Sequence, residues 1–397
     1  NRLHDTGYNS FAAILLSHSN YMTMTGGSQS ESGSPAKALM HLVTAVIEAA
    51  VQPKVIEQVN EIEGAISELS KNIHSRLSEA LPKENFEGLE KAIQEAGRGK
   101  LPFDDIISKL GDKELVKIVD THIIQRKIEL VKALKALKWS LTEGPTGIGR
   151  SRYGMVLAGA GSMLWAKEYP YNTFTSPITI QWDGAAPDLA MGLFKGQLRY
   201  LLDNIKLMRR AKLEAKDKYD PDVHDTEIAS LTWKELDEEE KALIPPVLLV
   251  GDKSAMDERN WGGLSRLLSG EYPVKVMIVD NALVPSGADP ATCIAQSTTT
   301  VLSAMALKNA YVLQGCMGNP THLFNGLMEG MQCQRPALFC LFAPDHEKHF
   351  IVSDAWPKLA SLALDTRAFP ALRFDPADES GFFSSAIHLE ANPTADA

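Results

Sequence analysis

Two segments carry the residues best suited to chemistry. In Val247-Leu248-Leu249-Val250-Gly251-Asp252-Lys253-Ser254 an apolar run ends on a carboxylate. About one βαβ unit later, Val276-Met277-Ile278-Val279-Asp280-Asn281-Ala282-Leu283 ends in the same way on a carboxylate and an amide. Each reads as a buried strand with polar residues at its carboxyl end. If the strands are parallel neighbours, Asp252 and Asn281 come together, and a carboxylate oxygen, an amide oxygen and a backbone carbonyl suit one hard divalent cation such as Mg²⁺ carrying diphosphate. Asp after a strand is also an ordinary helix N-cap, and Gly251-Asp252 taken alone fits that role equally.

Other polar groupings are weaker. Asp345, His346, Glu347 and His349 form a short cluster after an apolar run, with side chains that ligate metals. Adjacent loop residues rarely converge on one ion, so a solvated loop is the simpler reading. Lys253, Asp257, Glu258 and Arg259 likewise read as a charged loop opening a helix. No Ser/His/Asp or Cys/His arrangement suited to nucleophilic catalysis stands out. Cys293, Cys316, Cys333 and Cys340 form no CxxC pair, and Cys333 and Cys340, beside apolar runs, read as buried thiols rather than metal ligands or a disulfide.

These residues need a scaffold, and the chain is long enough to supply one. Its 397 residues are 44% apolar, enough for one large domain or two to three ordinary ones. The net charge of −10 argues against nucleic acid or an anionic membrane as partner, since both need a basic face. No apolar run reads as reaching the roughly 18 to 20 residues that span a bilayer, and the N-terminus lacks the order of a secretory signal. A cytoplasmic location is therefore expected. The chain does not begin with methionine, as expected of a processed subunit or of a segment of a longer polypeptide.

Residues 1–35 are rich in Gly, Ser, Asn and Thr and read as a loop or arm. Residues 36–140 read as a helical region. Val55, Val59, Ile62, Ile66, Leu69, Ile73 and Leu77 recur at three- and four-residue steps, which puts one apolar stripe on a long helix. Pro53 is expected to break or kink it. A second helix is expected from about Leu115 to Leu137, antiparallel to the first. Residues 141–397 change rhythm to short apolar runs alternating with helical patterns, the signature of a mainly parallel sheet with helices on both faces. Strands are expected at Met155–Ala158, Val247–Val250, Val274–Val279, Ala310–Leu313 and Ala337–Phe342. Helices are expected near Leu189–Ala215, Gly262–Leu268, Thr298–Leu307, Leu323–Cys333 and Trp356–Leu364. In such α/β sheets ligands sit beyond the carboxyl ends of the strands.

Several segments together resemble the C-terminal thiamine-diphosphate domain of pyruvate:ferredoxin oxidoreductases and their 2-oxoacid relatives. In family order these are Glu143-Gly144-Pro145-Thr146-Gly147-Ile148-Gly149-Arg150 with Tyr169-Pro170-Tyr171-Asn172, Gly251-Asp252 with Gly262-Gly263-Leu264, Val279-Asp280-Asn281, and Arg335-Pro336-Ala337-Leu338-Phe339 with Arg367-Ala368-Phe369-Pro370. The likeness covers roughly Leu137 to Pro393. It implies a thiamine-diphosphate-binding fold, with Asp252 as the acidic Mg²⁺ ligand, Asn281 as the side-chain oxygen ligand and Leu283 as the carbonyl ligand. It also implies oxidative decarboxylation of a 2-oxoacid, with the cofactor as electron sink. Assembly is expected with other domains or subunits of such an oxidoreductase, through which ferredoxin would be reached, and a two-fold dimer is the family's arrangement.

The chain departs from the family at functional positions. The family's Gly-Asp-Gly is Gly251-Asp252-Lys253 here, where glycine would let backbone approach diphosphate. Lys253 either crowds the cofactor, stays exposed, or adds a cation to an altered anion site. The family's Ser-Asn-Thr-Gly-Gly loop is Pro285-Ser286-Gly287-Ala288-Asp289, in which Ser286 and Gly287 still offer donors while also fitting ordinary turn chemistry. The cysteines of the family's proximal 4Fe–4S cluster are missing: their positions fall in Ala158-Gly159-Ala160-Gly161-Ser162 and Ala343-Pro344-Asp345-His346, and the Cys-x-x-Cys motif is absent. No such cluster is expected on this chain. Two functions follow as expectations: a divergent thiamine-diphosphate module of a 2-oxoacid:acceptor oxidoreductase, or a non-catalytic structural or dimerisation module of such a complex.

Overall fold

The computed structural model describes residues 10–22, 34–80, 121–159, 166, 174, 176–253, 255–256, 260–281, 299–344, 352, 354–377 and 386–394. By contact the chain forms two compact units. One comprises Asn1–Gln52, Ser151–Gln197 and Ile244–Ala397, the other Pro53–Arg150 and Leu198–Leu243. Neither boundary expected from the sequence, at 35/36 or 140/141, coincides with these. Each unit recruits segments distant in sequence.

The first unit is a mixed α/β layer built on an eight-stranded sheet ordered β2-β1-β3-β4-β6-β5-β7-β8. The strands are β1 (Gly154–Ala158), β2 (Ile178–Gln181), β3 (Val247–Asp252), β4 (Lys275–Asp280), β5 (Tyr311–Gly315), β6 (Ala337–Phe342), β7 (Leu372–Phe374) and β8 (Ile387–His388). β2 through β5 in that order are all parallel, and only β7 and β8 pair antiparallel. The strands β1, β3, β4, β5 and β6 are buried along their whole length. That is why they read in sequence as continuous apolar runs rather than alternations.

One face of the sheet carries Met155, Leu157, Leu248, Val250, Met277, Val279, Leu313, Phe339 and Leu341. Packed on it are Leu39, Met40, Val43 and Ile47 of α3 (Pro35–Ala80) and Leu323 and Leu327 of α10 (Pro320–Gln332). On the opposite face Val156, Leu249, Val276, Ile278 and Leu338 are equally buried. There the Gln197 side chain of α5 (Ala186–Ala215) lies over Gly154, and the Phe342 ring meets Phe369 at 5.2 Å. The other helices of this unit are α1 (Ser10–Leu15), α2 (His18–Met22), α8 (Trp261–Leu268), α9 (residues 299–306) and α11 (Trp356–Asp365).

The second unit is helical. Ile62, Leu69 and Ile73 of α3 pack with Ile124, Leu134 and Leu141 of α4 (Thr121–Thr142) and Met208 and Ala211 of α5. Glu63 pairs with Lys138 while Arg76 and Lys127 share Asp217, so α3 and α4 run antiparallel, as the apolar stripes require. Two short helices, α6 (Pro221–Ala229) and α7 (Glu238–Ala242), complete it, each started by an aspartate cap, Asp220 and Asp237.

Three points differ from the sequence reading. Of the break or kink expected at Pro53, there is no break: α3 is assigned as one helix through it, and the division between the units falls at this residue. An apolar stretch that the sequence reading did not single out lies in Pro35–Arg76, which holds an 18-residue window long and apolar enough, by length and composition, to cross a bilayer. Leu39, Met40, Val43, Val46 and Ile47 within it are fully buried in the sheet unit's core, so the apolar stretch packs as a core helix does. Third, β2, β7 and β8 are strands the sequence did not suggest.

Candidate functional site

The strand order sets where a ligand belongs. From β1 the chain goes to β2 on one side and later to β3 on the other, so β1 and β3 flank a topological switch point. In open α/β sheets ligands bind at the carboxyl ends beside such a point. Gly251 and Asp252 are the last two residues of β3. Gly251 lies flat against β1, since a Cβ there would come 3.0 Å from Ala158 Cβ and 3.0 Å from the Met256 side chain. A side chain at this position would crowd Ala158 and the Met256 side chain.

Asp252 and Asn281 stand at the carboxyl ends of neighbouring parallel strands, with Asn281 two residues beyond the register partner of Asp252. β3 and β4 are parallel neighbours with Gly251 opposite Ile278 and Asp252 opposite Val279. Asn281 follows β4 directly, two residues beyond Val279. By strand alternation Asp252 belongs to the face of Val250 and Val279, and continuing the alternation puts Asn281 there too. Both are buried polar side chains. Asp252 accepts a hydrogen bond from the Ala255 backbone N–H at 2.8 Å, which fixes the turn leaving β3.

Lys253 follows β3, and its ammonium lies 3.8 Å from the Asp280 carboxylate, which is itself buried. The added charge thus meets a counter-charge.

Two residues that sequence reasoning missed complete the picture. Asn260 is buried, and its Nδ2 donates to the Ala255 carbonyl at 2.6 Å while its Oδ1 is buried with no partner among the described residues. It precedes α8 without capping it by its side chain. One hydrogen-bonded link, through Ala255, separates it from Asp252. Trp182 follows β2, and its indole lies against Gly159 at the end of β1. Neither is visible in sequence, because one requires β2 to be recognised and the other depends on a turn closed by side-chain bonds.

Leu283, Ser286 and Gly287, together with Asp257, Glu258, Arg259, Asp345, His346, Glu347 and His349, lie outside the described residues. Among the described residues no three His, Cys, Asp or Glu side chains gather as a metal site. The oxygen donors of Asp252 and Asn281 pair one carboxylate with one amide. Cys316 and Cys340 are buried, and burial pushes the Cys316 thiol up from its ordinary value, away from the range of a reactive thiolate. Cys333 is half-buried, and Cys293 lies outside the described residues.

Oxygen donors at adjacent strand ends fit a hard cation such as Mg²⁺, and a cation there would neutralise an anionic ligand beside it. Comparison with family models gave no match, and comparison with curated proteins gave none.

Proposed function

We propose that this chain is a divergent thiamine-diphosphate-binding module of a 2-oxoacid:acceptor oxidoreductase, working in an assembly with other domains or subunits. The observation that supports the reading is that Asp252 and Asn281 stand at the carboxyl ends of neighbouring parallel strands, beside the switch point, in segments that follow the family's order. In this reading Asp252 and Asn281, with the Leu283 carbonyl, hold Mg²⁺. Gly251 keeps β3 close to β1, and Ser286 and Gly287 offer donors to diphosphate. When bound, thiamine diphosphate supplies the electron sink for decarboxylation of a 2-oxoacid. The chain's own part is to bind and orient. With no cysteine at the family's cluster positions, electrons would leave through a partner, with ferredoxin as acceptor of the assembly.

A second reading, a non-catalytic scaffold or dimerisation module, is favoured by one observation. A lysine with its own buried counter-ion, Asp280, stands where the family has glycine.

Calorimetry with thiamine diphosphate and Mg²⁺, on the chain and on its native assembly, separates the two. The first reading expects Mg²⁺-dependent binding that Asp252→Ala weakens at least tenfold, about 1.4 kcal/mol. Absence of binding in both preparations rejects it in favour of the scaffold. Unchanged affinity in the variant rejects the cation site.

A further inference from the structure

A buried lysine and a cysteine meet where the chain passes from α10 into β6. Lys275 is the first residue of β4, and strand alternation puts its side chain on the face of Met277 and Val279, against which α10 packs. The register sets it opposite Ala337, the first residue of β6. Lys275 is only 2% exposed. Its ammonium donates to the Cys333 carbonyl at 2.7 Å and to the Arg335 carbonyl at 2.9 Å. Cys333 is the residue that ends α10, and a cation at a helix C-terminus bonds carbonyls that have no intrahelical donor. Capping the helix accounts for a charge buried at this place.

Capping uses only backbone carbonyls and asks nothing of the cysteine side chain, yet the sulfur is turned to the same point. Cys333 Sγ lies 3.5 Å from Lys275 Nζ. It also lies 3.4 Å from the Gly330 carbonyl oxygen and 3.4 Å from that of Arg335, so nitrogen and sulfur converge on the Arg335 carbonyl. Their separation matches the roughly 3–3.5 Å at which positioned reactants pass directly to bond formation. The two groups differ in access. Lys275 is shut in, whereas Cys333 is half-buried, and Cys316 and Cys340 are buried. Among these three thiols a small oxidant therefore meets Cys333 first, and the nucleophile already held at its sulfur is an amine.

We infer that Lys275 and Cys333 form an oxidative modification site, at which peroxide converts the thiol to a sulfenic acid that condenses with the amine into a sulfur–nitrogen cross-link. Sulfenic acids condense in this way with thiols and with backbone nitrogen, and Lys275 supplies a nitrogen from a side chain. In the first step hydrogen peroxide gives one oxygen to sulfur: S–H becomes S–OH, water leaves, and the peroxide takes up the two electrons that sulfur loses. In the second the nitrogen lone pair attacks sulfur and the S–O bond breaks. The ammonium gives up two protons, one to the departing hydroxide, which leaves as water, and one to solvent. The product ties the start of β4 to the end of α10 and takes the cation from the helix C-terminus. A thiol reductant restores both side chains and is itself oxidised to a disulfide. Neither step involves Asp252, Asn281 or a cofactor, so the site stands apart from the proposed function.

The test exposes the full chain to a small molar excess of hydrogen peroxide, digests it with trypsin in the absence of reductant and maps the peptides by mass spectrometry. The expected product joins the peptide of Lys275 to that of Cys333, is lighter than their sum by the hydrogens removed, escapes cleavage after Lys275 and disappears on treatment with dithiothreitol. Cys333→Ser abolishes it. Lys275→Arg keeps a cation for the two carbonyls but lacks the amine, so there the link is lost and dimedone, which traps sulfenic acid, labels Cys333 severalfold more than in wild type. Circular dichroism checks that both variants fold, and if Lys275→Arg does not, the wild-type map and Cys333→Ser decide. Cys333 found unoxidised, in a disulfide, joined to another lysine, or as sulfinic or sulfonic acid beside unmodified Lys275 overturns the inference. A link that keeps oxygen between nitrogen and sulfur overturns the condensation. Equal dimedone labelling in wild type and Lys275→Arg leaves Lys275 a helix cap alone and likewise overturns it.

Discussion

Asp217 is the charged hub of the helical unit, and Asp217→Asn isolates its charge. Its carboxylate accepts from Lys127 Nζ at 2.6 Å, Arg76 Nη2 at 2.8 Å and Asn72 Nδ2 at 2.9 Å. The Lys127 side chain is fully buried, whereas that of Asp217 is 44% exposed. Asp217 also has φ of 54°, a left-handed conformation that asparagine adopts readily, so the substitution leaves the backbone in place. Losing one partner of a fully buried pair costs about 3–5 kcal/mol. Water reaches the aspartate side here, so about 2–3 kcal/mol at neutral pH is expected.

The same network sets a pH dependence. Partial burial acts to raise the Asp217 pKa, but the bonds and charges of Lys127, Asn72 and Arg76 outweigh it and bring the pKa from 3.8 down to about 2. A depressed acid contributes stability that is present above its unfolded value and lost as pH falls through its folded one. The window here runs from about pH 4 down to about pH 2. The full shift would correspond to about 2.5 kcal/mol, which solvent screening of a half-exposed group reduces to about 1 kcal/mol. Urea titrations followed by circular dichroism, at neutral pH and through that window, measure both effects. Lys127→Met in the Asp217→Asn background should recover most of the loss, because it removes the uncompensated charge. An Asp217→Asn variant within about 0.5 kcal/mol of wild type, or a Lys127→Met cost equal in both backgrounds, refutes the reasoning.

Two further predictions concern the packing of α10 on the sheet. A Cβ on Gly330 would come 2.4 Å from Phe339 Cε1 and 2.8 Å from Tyr311 Cε1. Gly330→Ala should therefore cost about 1–2 kcal/mol by urea titration, an overpacking penalty larger than the helix-propensity gain; a stabilised variant would show that the ring can yield. The Tyr311 hydroxyl donates to the Gly326 carbonyl at 2.9 Å and to Glu329 at 3.3 Å, and burial, reinforced by Glu329, pushes its pKa far above the ordinary phenol value. Tyr311→Phe should cost about 1–2 kcal/mol by leaving Gly326 short of a donor, whereas in wild type the phenol should not ionise in ultraviolet alkaline titration before unfolding.

The parts of the fold legible in the sequence are those where burial alone dictates residue type. β3, β4 and β6 are buried on both faces and so appear as Val247–Val250, Val274–Val279 and Ala337–Phe342 within a residue or two of their ends. The α3 and α4 stripes were legible because Ile62, Leu69 and Ile73 must face one way to meet Ile124 and Leu134. β2 was not, because Ile178–Gln181 is a half-buried edge strand of four residues with no apolar run to announce it. β7 and β8 are shorter still and are held by pairing, a long-range property. The contact division was hidden for the same reason: α3 and α5 are continuous helices whose ends join different cores. In the site, Asp252 and Asn281 were legible because a polar side chain closing a buried apolar strand must be satisfied by a turn or by a ligand. Trp182 and Asn260 owe their positions to β2 and to the turn at Ala255.

The Lys253–Asp280 pair also changes what the glycine-to-lysine departure means for the proposed reading. A charge inserted next to Asp252 reads in sequence as an intrusion into the cation site. Lys253 follows β3, and its ammonium lies 3.8 Å from the buried Asp280 carboxylate. The pair of charges at the two strand ends is therefore self-compensating: the buried Asp280 carboxylate has the Lys253 ammonium beside it. The cost falls instead on the backbone after Asp252, where a lysine replaces the residue best able to let diphosphate approach closely. The proposed module accordingly keeps the means to hold a cation more fully than the means to wrap the anion it carries, which makes Mg²⁺ dependence, rather than affinity for free diphosphate, the more discriminating property to measure.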